Sequence, residues 1–179
     1  MVPALSISTT IYNLAAVVFR SLGNTVGILT GQMLGANRPK AEIRRDNNRQ
    51  CALCVASGIS FGLLTIALST VFPAMYNTTD EVRHLAKWLI IISAIGMPLQ
   101  AYIFPVYFTL RAGGRVVETF LFDCGAIWIL SLPIAFVFSR FTGLSILVIF
   151  TLCQCVDILR CIVGFFMMKK GAWLHNLTV

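Results

Sequence analysis

Charged side chains are scarce in this sequence: Asp, Glu, Lys and Arg make up 12% of its 179 residues. A soluble globular domain carries about 25% charged residues, so the composition excludes an ordinary soluble domain. Hydrophobic residues make up 58% of the chain, and the mean hydropathy is +0.83. The net charge of +7 does not indicate nucleic-acid binding, because the cations lie in short clusters between apolar runs, as in the loops of membrane proteins.

Catalytic and metal-binding motifs are also scarce. A membrane-embedded enzyme needs a nucleophile or a metal with placed bases, yet no HExxH is present, and the only histidines are His84 and His175. The one GxSxG match, Gly58–Gly62, lies inside a long apolar run. Cys51 and Cys54 form one CxxC, which no second CxxC accompanies. We therefore predict a chain that is not an enzyme, with apolar thiols, no metal site and no cofactor.

Long apolar runs dominate what is present. Five segments stand out, at residues 3–34, 51–73, 85–110, 116–138 and 143–168. A helix needs about 20 residues to cross a bilayer at 1.5 Å per residue, and all five are long enough. The first, at about 48 Å if fully helical, must tilt, bend or protrude. The sequence thus predicts an all-α integral membrane protein with five transmembrane helices, here called spans one to five.

The Lys and Arg residues between the spans predict the orientation. Nine fall on one side of the membrane: Arg38, Lys40, Arg44, Arg45, Arg49, Arg111, Arg115, Lys169 and Lys170. Three fall on the other: Arg83, Lys87 and Arg140. Loops rich in Lys and Arg stay inside the cell, so we predict a multi-pass protein of the cell membrane with a cytoplasmic C-terminus. An odd number of spans then puts Met1 outside. We expect the chain to be the C-terminal part of a longer protein.

Polar residues form a stripe along span one at alternating steps of four and three. Its members are Ser6, Thr10, Asn13, Val17, Arg20, Asn24, Gly27 and Gly31. Such a face does not suit lipid, so it either contacts another helix or lines a solvated cavity. Arg20 favours the cavity, because a guanidinium needs water or a carboxylate. Asn13, Arg20 and Asn24 are therefore candidate cavity-lining residues.

Span three has a mixed face of the same spacing, with Gln100 and Tyr107 as candidate cavity-lining residues. Pro98 and Pro105 interrupt its hydrogen bonding and are expected to bend it. Bent helices are tolerated in membranes where they are buried or line a cavity. Aromatic and polar side chains around a bend suit the binding of amphipathic organic molecules.

Three charged residues lie within spans four and five. Asp157 and Arg160 are three residues apart on span five and share a helix face, so one interpretation is mutual neutralisation. The other is that Asp157 or Asp123 binds and releases a proton or a cation, as intramembrane acids often do. Asp123 has no Lys or Arg near it in its own span. Asp123, Asp157 and Arg160 are the candidate coupling residues.

Four motifs occur in a characteristic order. They are GQxLGA (31–36), LRAGG (110–114), D-x4-W-x4-P (123–133) and a closing G-x-W-x-x-N-L-T (171–178). In these motifs the chain resembles the second half of multidrug and toxic compound extrusion (MATE) transporters. The resemblance covers essentially the whole sequence. Asp123 lies within one of the four motifs.

The resemblance implies a fold and an activity. MATE transporters have twelve spans in two six-helix lobes, which alternate access to a central cavity and couple proton or sodium entry to export of cationic and amphipathic compounds. By this resemblance, residues 1–179 are the last five spans, and an N-terminal lobe is missing. The implied partners are the bilayer, small-molecule substrates and the missing lobe. Two alternatives stay open: a lipid-linked sugar flippase of related fold, and a truncated chain that is inactive alone.

Overall fold

The computed structural model describes residues 2–74, 79–141, 145–171 and 173–174. Helices make up 91% of this part of the chain, and it contains no strand. The elements are α1 (Val2–Gly35), α2 (Lys40–Leu68), α3 (Val71–Ala74), α4 (Asp80–Ala112), α5 (Val116–Phe120), a π-helix (Leu121–Ser131), α6 (Leu132–Phe141) and α7 (Ile146–Lys170). His175 and the end of the closing motif lie outside the described residues.

The five predicted spans are confirmed. Long apolar helices able to cross a membrane cover Ala4–Gly35, Lys40–Leu68, Asp80–Ala112, Val116–Arg140 and Ile146–Lys170. Span two differs most from its prediction: α2 begins at Lys40, because the polar residues before the apolar run continue the same helix. Pro98 and Pro105 lie inside α4, which runs through both without ending. The bend predicted there stays a prediction.

Helix α4 is central and packs against α1, α2 and α7. Small residues allow these close approaches, as is usual for helix contacts in membranes. A Cβ on Gly23 of α1 would lie 2.9 Å from the carbonyl carbon of Phe104, and one on Gly58 of α2 would lie 2.6 Å from Cβ of Ala101. The glycines therefore set the distance between α4 and its neighbours.

A buried polar contact joins the three most tightly packed helices. Asn47 of α2 donates its Nδ2 to Oγ1 of Thr30 on α1 at 2.9 Å and to Oγ1 of Thr109 on α4 at 2.8 Å. All three residues are fully buried. Buried polar groups must find hydrogen-bond partners within the protein. Here α1, α2 and α4 each supply one polar side chain to the contact.

The loops rich in Lys and Arg gather at one end of the bundle. Arg44 donates Nη2 to the carbonyl oxygen of Lys169 at 2.7 Å, which joins the start of α2 to the end of α7. Trp173 is fully buried in a cluster with Leu34 and Leu110, and its Nε1 donates to the carbonyl of Met168 at 3.1 Å. The nine cations predicted to share a side thus lie near one end. That this end is cytoplasmic stays a prediction.

Span four lies at the edge of the bundle. It consists of α5, the π-helix and α6, and Phe122 is the buried residue of its π-helix. Large apolar side chains such as Trp128 and Ile129 are exposed, each at 70%. A π-helix has i→i+5 hydrogen bonds and is usually a single turn found at functional sites. Here it covers 11 residues and carries Asp123 in its first turn.

Candidate functional site

Four of the predicted site residues form one hydrogen-bonded cluster across three helices. Arg160 of α7 donates Nη1 to Oδ1 of Asp157, one turn earlier, at 3.2 Å. Its Nη2 donates to Oδ1 of Asp123 on the π-helix. Gln100 of α4 donates Nε2 to the other oxygen of Asp157 at 2.6 Å. The guanidinium of Arg160 therefore joins two carboxylates, and α4 holds one of them in place.

Small residues on either side of the cluster bring its helices together. Gly96 lies one turn before Gln100, and a Cβ there would be 2.8 Å from Nε2 of Gln154 on α7. Gly164 lies one turn after Arg160, and a Cβ there would be 3.2 Å from Cγ1 of Val106 and 3.3 Å from Cζ of Phe122. Gly164 thus leaves little room between α7, Val106 and Phe122, whereas a side chain at Gly96 would displace only the flexible end of Gln154.

The two carboxylates have different environments. The side chains of Asp157 and Arg160 are 11% and 10% exposed, whereas that of Asp123 is 40% exposed. The Arg160 guanidinium also lies 5.5 Å from the centre of the Phe122 ring, within range of a cation–π contact. With every group ionised, the cluster carries two negative charges and one positive charge. It therefore has one excess negative charge, which favours the approach of a cation or a proton.

Two adjoining cavities lie beside the cluster. The larger has a volume of about 450 Å³ and lies between α1, α4, the π-helix and α7. Its lining includes Ser8, Thr9, Tyr12, Arg20, Ser93, Gln100, Phe104, Asp123, Phe150, Gln154, Asp157 and Arg160. The smaller, of about 250 Å³, is lined by Arg20, Ile103, Phe104, Tyr107, Phe108, Arg111, Asp123 and Arg160. The larger is within the size range of small-molecule sites, about 300–1,000 Å³.

Arg20 faces both cavities but does not join the cluster. Its guanidinium carbon lies 5.6 Å from the centre of the Phe104 ring, and it forms no ion pair with any residue that the structure describes. With Arg20 included, the larger cavity has two cations and two carboxylates among its lining residues. The guanidinium of Arg20 thus offsets the excess negative charge of the cluster without contacting it.

Of the other predicted cavity-lining residues, Tyr107 lies beside a cavity, whereas Asn13 and Asn24 do not. Tyr107 lines the smaller cavity and packs edge-on against Phe108, with ring centres 5.1 Å apart. Asn13 and Asn24 line neither of the two cavities and are exposed. The stripe on α1 is exposed from Ser6 to Asn24. Apart from Arg20, which lies over Phe104 of α4, these residues are not buried against another helix of the described chain. A polar face of this kind needs water or a further protein surface in a membrane.

Sequence reasoning missed Tyr12 and Gln154, which both line the larger cavity. Gln154 is three residues before Asp157 on α7, so helical spacing could have placed it on the same face. Tyr12 lies next to the predicted stripe, and no periodic signal separates it from a packing residue. Among the described residues, no group of three or more His, Cys, Asp or Glu side chains is arranged to hold a metal ion.

Comparisons with known proteins complete these observations. Residues 2–137 match the family model described as MatE. Over 134 residues the chain is 31% identical to a protein of Bacillus subtilis (strain 168) named "Probable multidrug resistance protein YoeA". That alignment covers 71% of this chain and 27% of the relative, so the chain spans little more than a quarter of the relative's length. No solved structure matches the chain.

Proposed function

Since the chain belongs to the MatE family, we propose that its five spans are part of a transporter that exports cationic or amphipathic compounds by proton- or sodium-coupled antiport. The observation that carries this proposal is the cluster of Asp123, Asp157 and Arg160 beside the 450 Å³ cavity. An ion-coupled antiporter needs a site whose charge changes when the coupling ion binds. It also needs that site to be next to the substrate's path. The proposal is supported by the two carboxylates of the cluster, which can take up a cation, and by the cavity beside them.

Asp123 is the coupling carboxylate in this proposal, and Asp157 is the fixed one. Asp157 is held by Arg160 and Gln100 and has little exposure, so its charge has a constant partner. Within the described part of the chain, Arg160 is the one partner of Asp123, and Asp123 is the more exposed of the two carboxylates. A proton or Na⁺ from the cavity reaches Asp123 first and weakens its bond to Arg160. That bond joins span four to α7, so ion binding changes how firmly span four is held.

The cavity lining suits amphipathic organic cations. Phe104 and Tyr107 offer aromatic faces, which attract cations that have lost part of their water. Arg20 lies over the Phe104 ring, so a cationic substrate would displace that guanidinium to reach the same face. A cationic substrate at that ring and an ion on Asp123 would both offset the excess negative charge of the cluster. Substrate and coupling ion would therefore compete through electrostatics without sharing a ligand.

The exposed stripe on α1 faces the rest of the transporter in this proposal. Asn13, Arg20 and Asn24 would line the passage between this bundle and a second lobe, because lipid does not suit them. The end that carries the nine cations would be cytoplasmic. The compound is moved without chemical change, so no catalytic residue is assigned. The sugar-flippase alternative is less well supported, since the cavity is not strongly cationic.

The test is dye export in a bacterium deleted for its own efflux systems, with the native gene expressed and ethidium accumulation measured. We expect Asp123→Asn to raise accumulation to the level of cells without the transporter, and a protonophore or removal of Na⁺ to do the same. Asp46→Asn is the matched control, because Asp46 lies on α2 and pairs with Arg45 and Arg49, away from both cavities.

The amount of each variant in the membrane is measured by immunoblot, which separates loss of transport from loss of protein. Export that continues after both ion gradients are collapsed would overturn the coupling mechanism. Normal export by Asp123→Asn would overturn the role of that residue. Expression of residues 1–179 alone tests the remaining alternative, a chain that is inactive without further spans.

A further inference from the structure

The largest of the described cavities is not part of the transport site. It has a volume of about 650 Å³ and lies between α2 and α7, with Tyr102 of α4 among its lining residues. None of Gln100, Asp123, Asp157 and Arg160 lines it. Nothing in the proposed antiport uses this cavity, so its chemistry calls for a separate explanation.

This cavity forms a groove between α2 and α7, and one end of the groove is cationic. Arg44 and Lys169 line it there, and an adjoining cavity of about 450 Å³ is lined by Arg44 together with Lys40 and Lys170. No acidic residue lines either cavity, and none of the four cations forms an ion pair within the described ranges. The bond from Arg44 to the Lys169 carbonyl fixes the guanidinium between the two helix ends. These four cations therefore form a positively charged patch without an acidic partner in the described ranges.

The rest of the groove is apolar and has the depth of one membrane leaflet. Val55, Ala56 and Ile59 line it from α2, and Phe165 lines it from α7. Ile59 lies 11 residues after Asn48, a rise of about 16 Å along the helix. One leaflet of the hydrocarbon core is about 15 Å thick. Ile59 and Phe165 are exposed at 48% and 56%, so the groove is open along its side.

We propose that this groove binds one anionic glycerophospholipid, with its phosphate at Arg44 and Lys169 and an acyl chain between α2 and α7. Basic pockets between transmembrane helices recognise anionic headgroups, and the apolar groove gives the acyl chain a surface that a free phosphate ion would not use. A second protein chain would leave the four cations without partners unless it brought matching acids. The inference is independent of the transport proposal, since it shares no residue with that site.

The headgroup is tested by native mass spectrometry of the purified protein in detergent, titrated with phosphatidylglycerol or with phosphatidylcholine of the same acyl chains. We expect phosphatidylglycerol to bind at least about tenfold more tightly. Each cation at an anionic lipid contributes about fivefold, so Lys169→Gln with Lys170→Gln should weaken binding about 25-fold. Arg45→Gln with Arg49→Gln is the matched control, because it removes two exposed cations of α2 that line neither cavity.

The acyl chain is tested by filling the groove. Ala56→Trp keeps all four cations but occupies the apolar part, so it should abolish phosphatidylglycerol binding. Leu53→Trp is its control, because Leu53 is 71% exposed on the same helix and does not line the groove. Glycerol 3-phosphate, which carries at least the negative charge of the headgroup but no acyl chains, should not compete. Equal binding of the two lipids, competition by glycerol 3-phosphate, or normal binding by Ala56→Trp would each overturn the proposal.

Discussion

Replacement of Arg160 by methionine should destabilise the protein strongly, because Arg160 is the cation shared by two carboxylates. Arg160→Met keeps a long side chain and removes every donor. Asp157, only 11% exposed, would retain Gln100 as its partner and lose its counter-charge. Removal of one partner from a buried ion pair costs about 3–5 kcal/mol. Asp123 is 40% exposed, so solvent can replace its lost bond, and it should add little to that cost.

The assay is reversible unfolding in mixed micelles, followed by circular dichroism and extrapolated to zero denaturant. Asp157→Asn combined with Arg160→Met removes the buried charge together with its partner, so we expect the double variant to recover at least about 2 kcal/mol of the loss, within the range of coupling between contacting residues. Arg140→Met, at an exposed cation of α6, should change stability by less than about 0.5 kcal/mol. A double variant no more stable than Arg160→Met would refute the charge argument.

Two more predictions concern the packing around α4. Asn47→Ala removes the two hydrogen bonds that Nδ2 donates and a weaker one that Oδ1 accepts from Sγ of Cys51. An interhelical hydrogen bond in a membrane is worth about 0.6 kcal/mol and at most about 1.7 kcal/mol, so the same unfolding assay should show a loss of about 1–3 kcal/mol, whereas Asn48→Ala should have little effect. Gly58→Ala places a Cβ 2.6 Å from that of Ala101 and should cost about 1–3 kcal/mol by overpacking. Gly125→Ala, with nothing within 4 Å of the new Cβ, should leave the melting temperature unchanged or raised. Equal melting temperatures for the two glycine variants would contradict the close approach of α2 and α4.

The spans could be predicted from the sequence because they depend on composition and length alone. Hydropathy does not mark the start of α2, because it shows only where the apolar run begins; Pro39, just before Lys40, is the signal that does, since proline is favoured at the start of a helix. The π-helix has no sequence signal. An apolar run of sufficient length predicts a span, but it does not distinguish i→i+4 from i→i+5 hydrogen bonding.

The candidate site was predictable only where its contacts are local. The pair of Asp157 and Arg160 follows from a spacing of three on one helix. The contacts of Gln100 and Asp123 with that pair depend on how α4 and the π-helix pack against α7, which no local pattern records. Arg20 was expected to line a solvated cavity; it lines both cavities and also lies over the Phe104 ring, a contact that no local pattern records.

The position of Asp123 on span four gives the proposed coupling a physical route to movement. Span four buries little of its surface in the described bundle, and Phe122 is the buried residue of its π-helix. The ion pair between Asp123 and Arg160 and the contact of Phe122 with Gly164 join span four to α7 near the cluster, beside the packing of α6 on α7. Neutralising Asp123 removes the charged part of that attachment and leaves the apolar part. An element held this weakly can shift when one charge changes, whereas α4, packed on three sides, cannot.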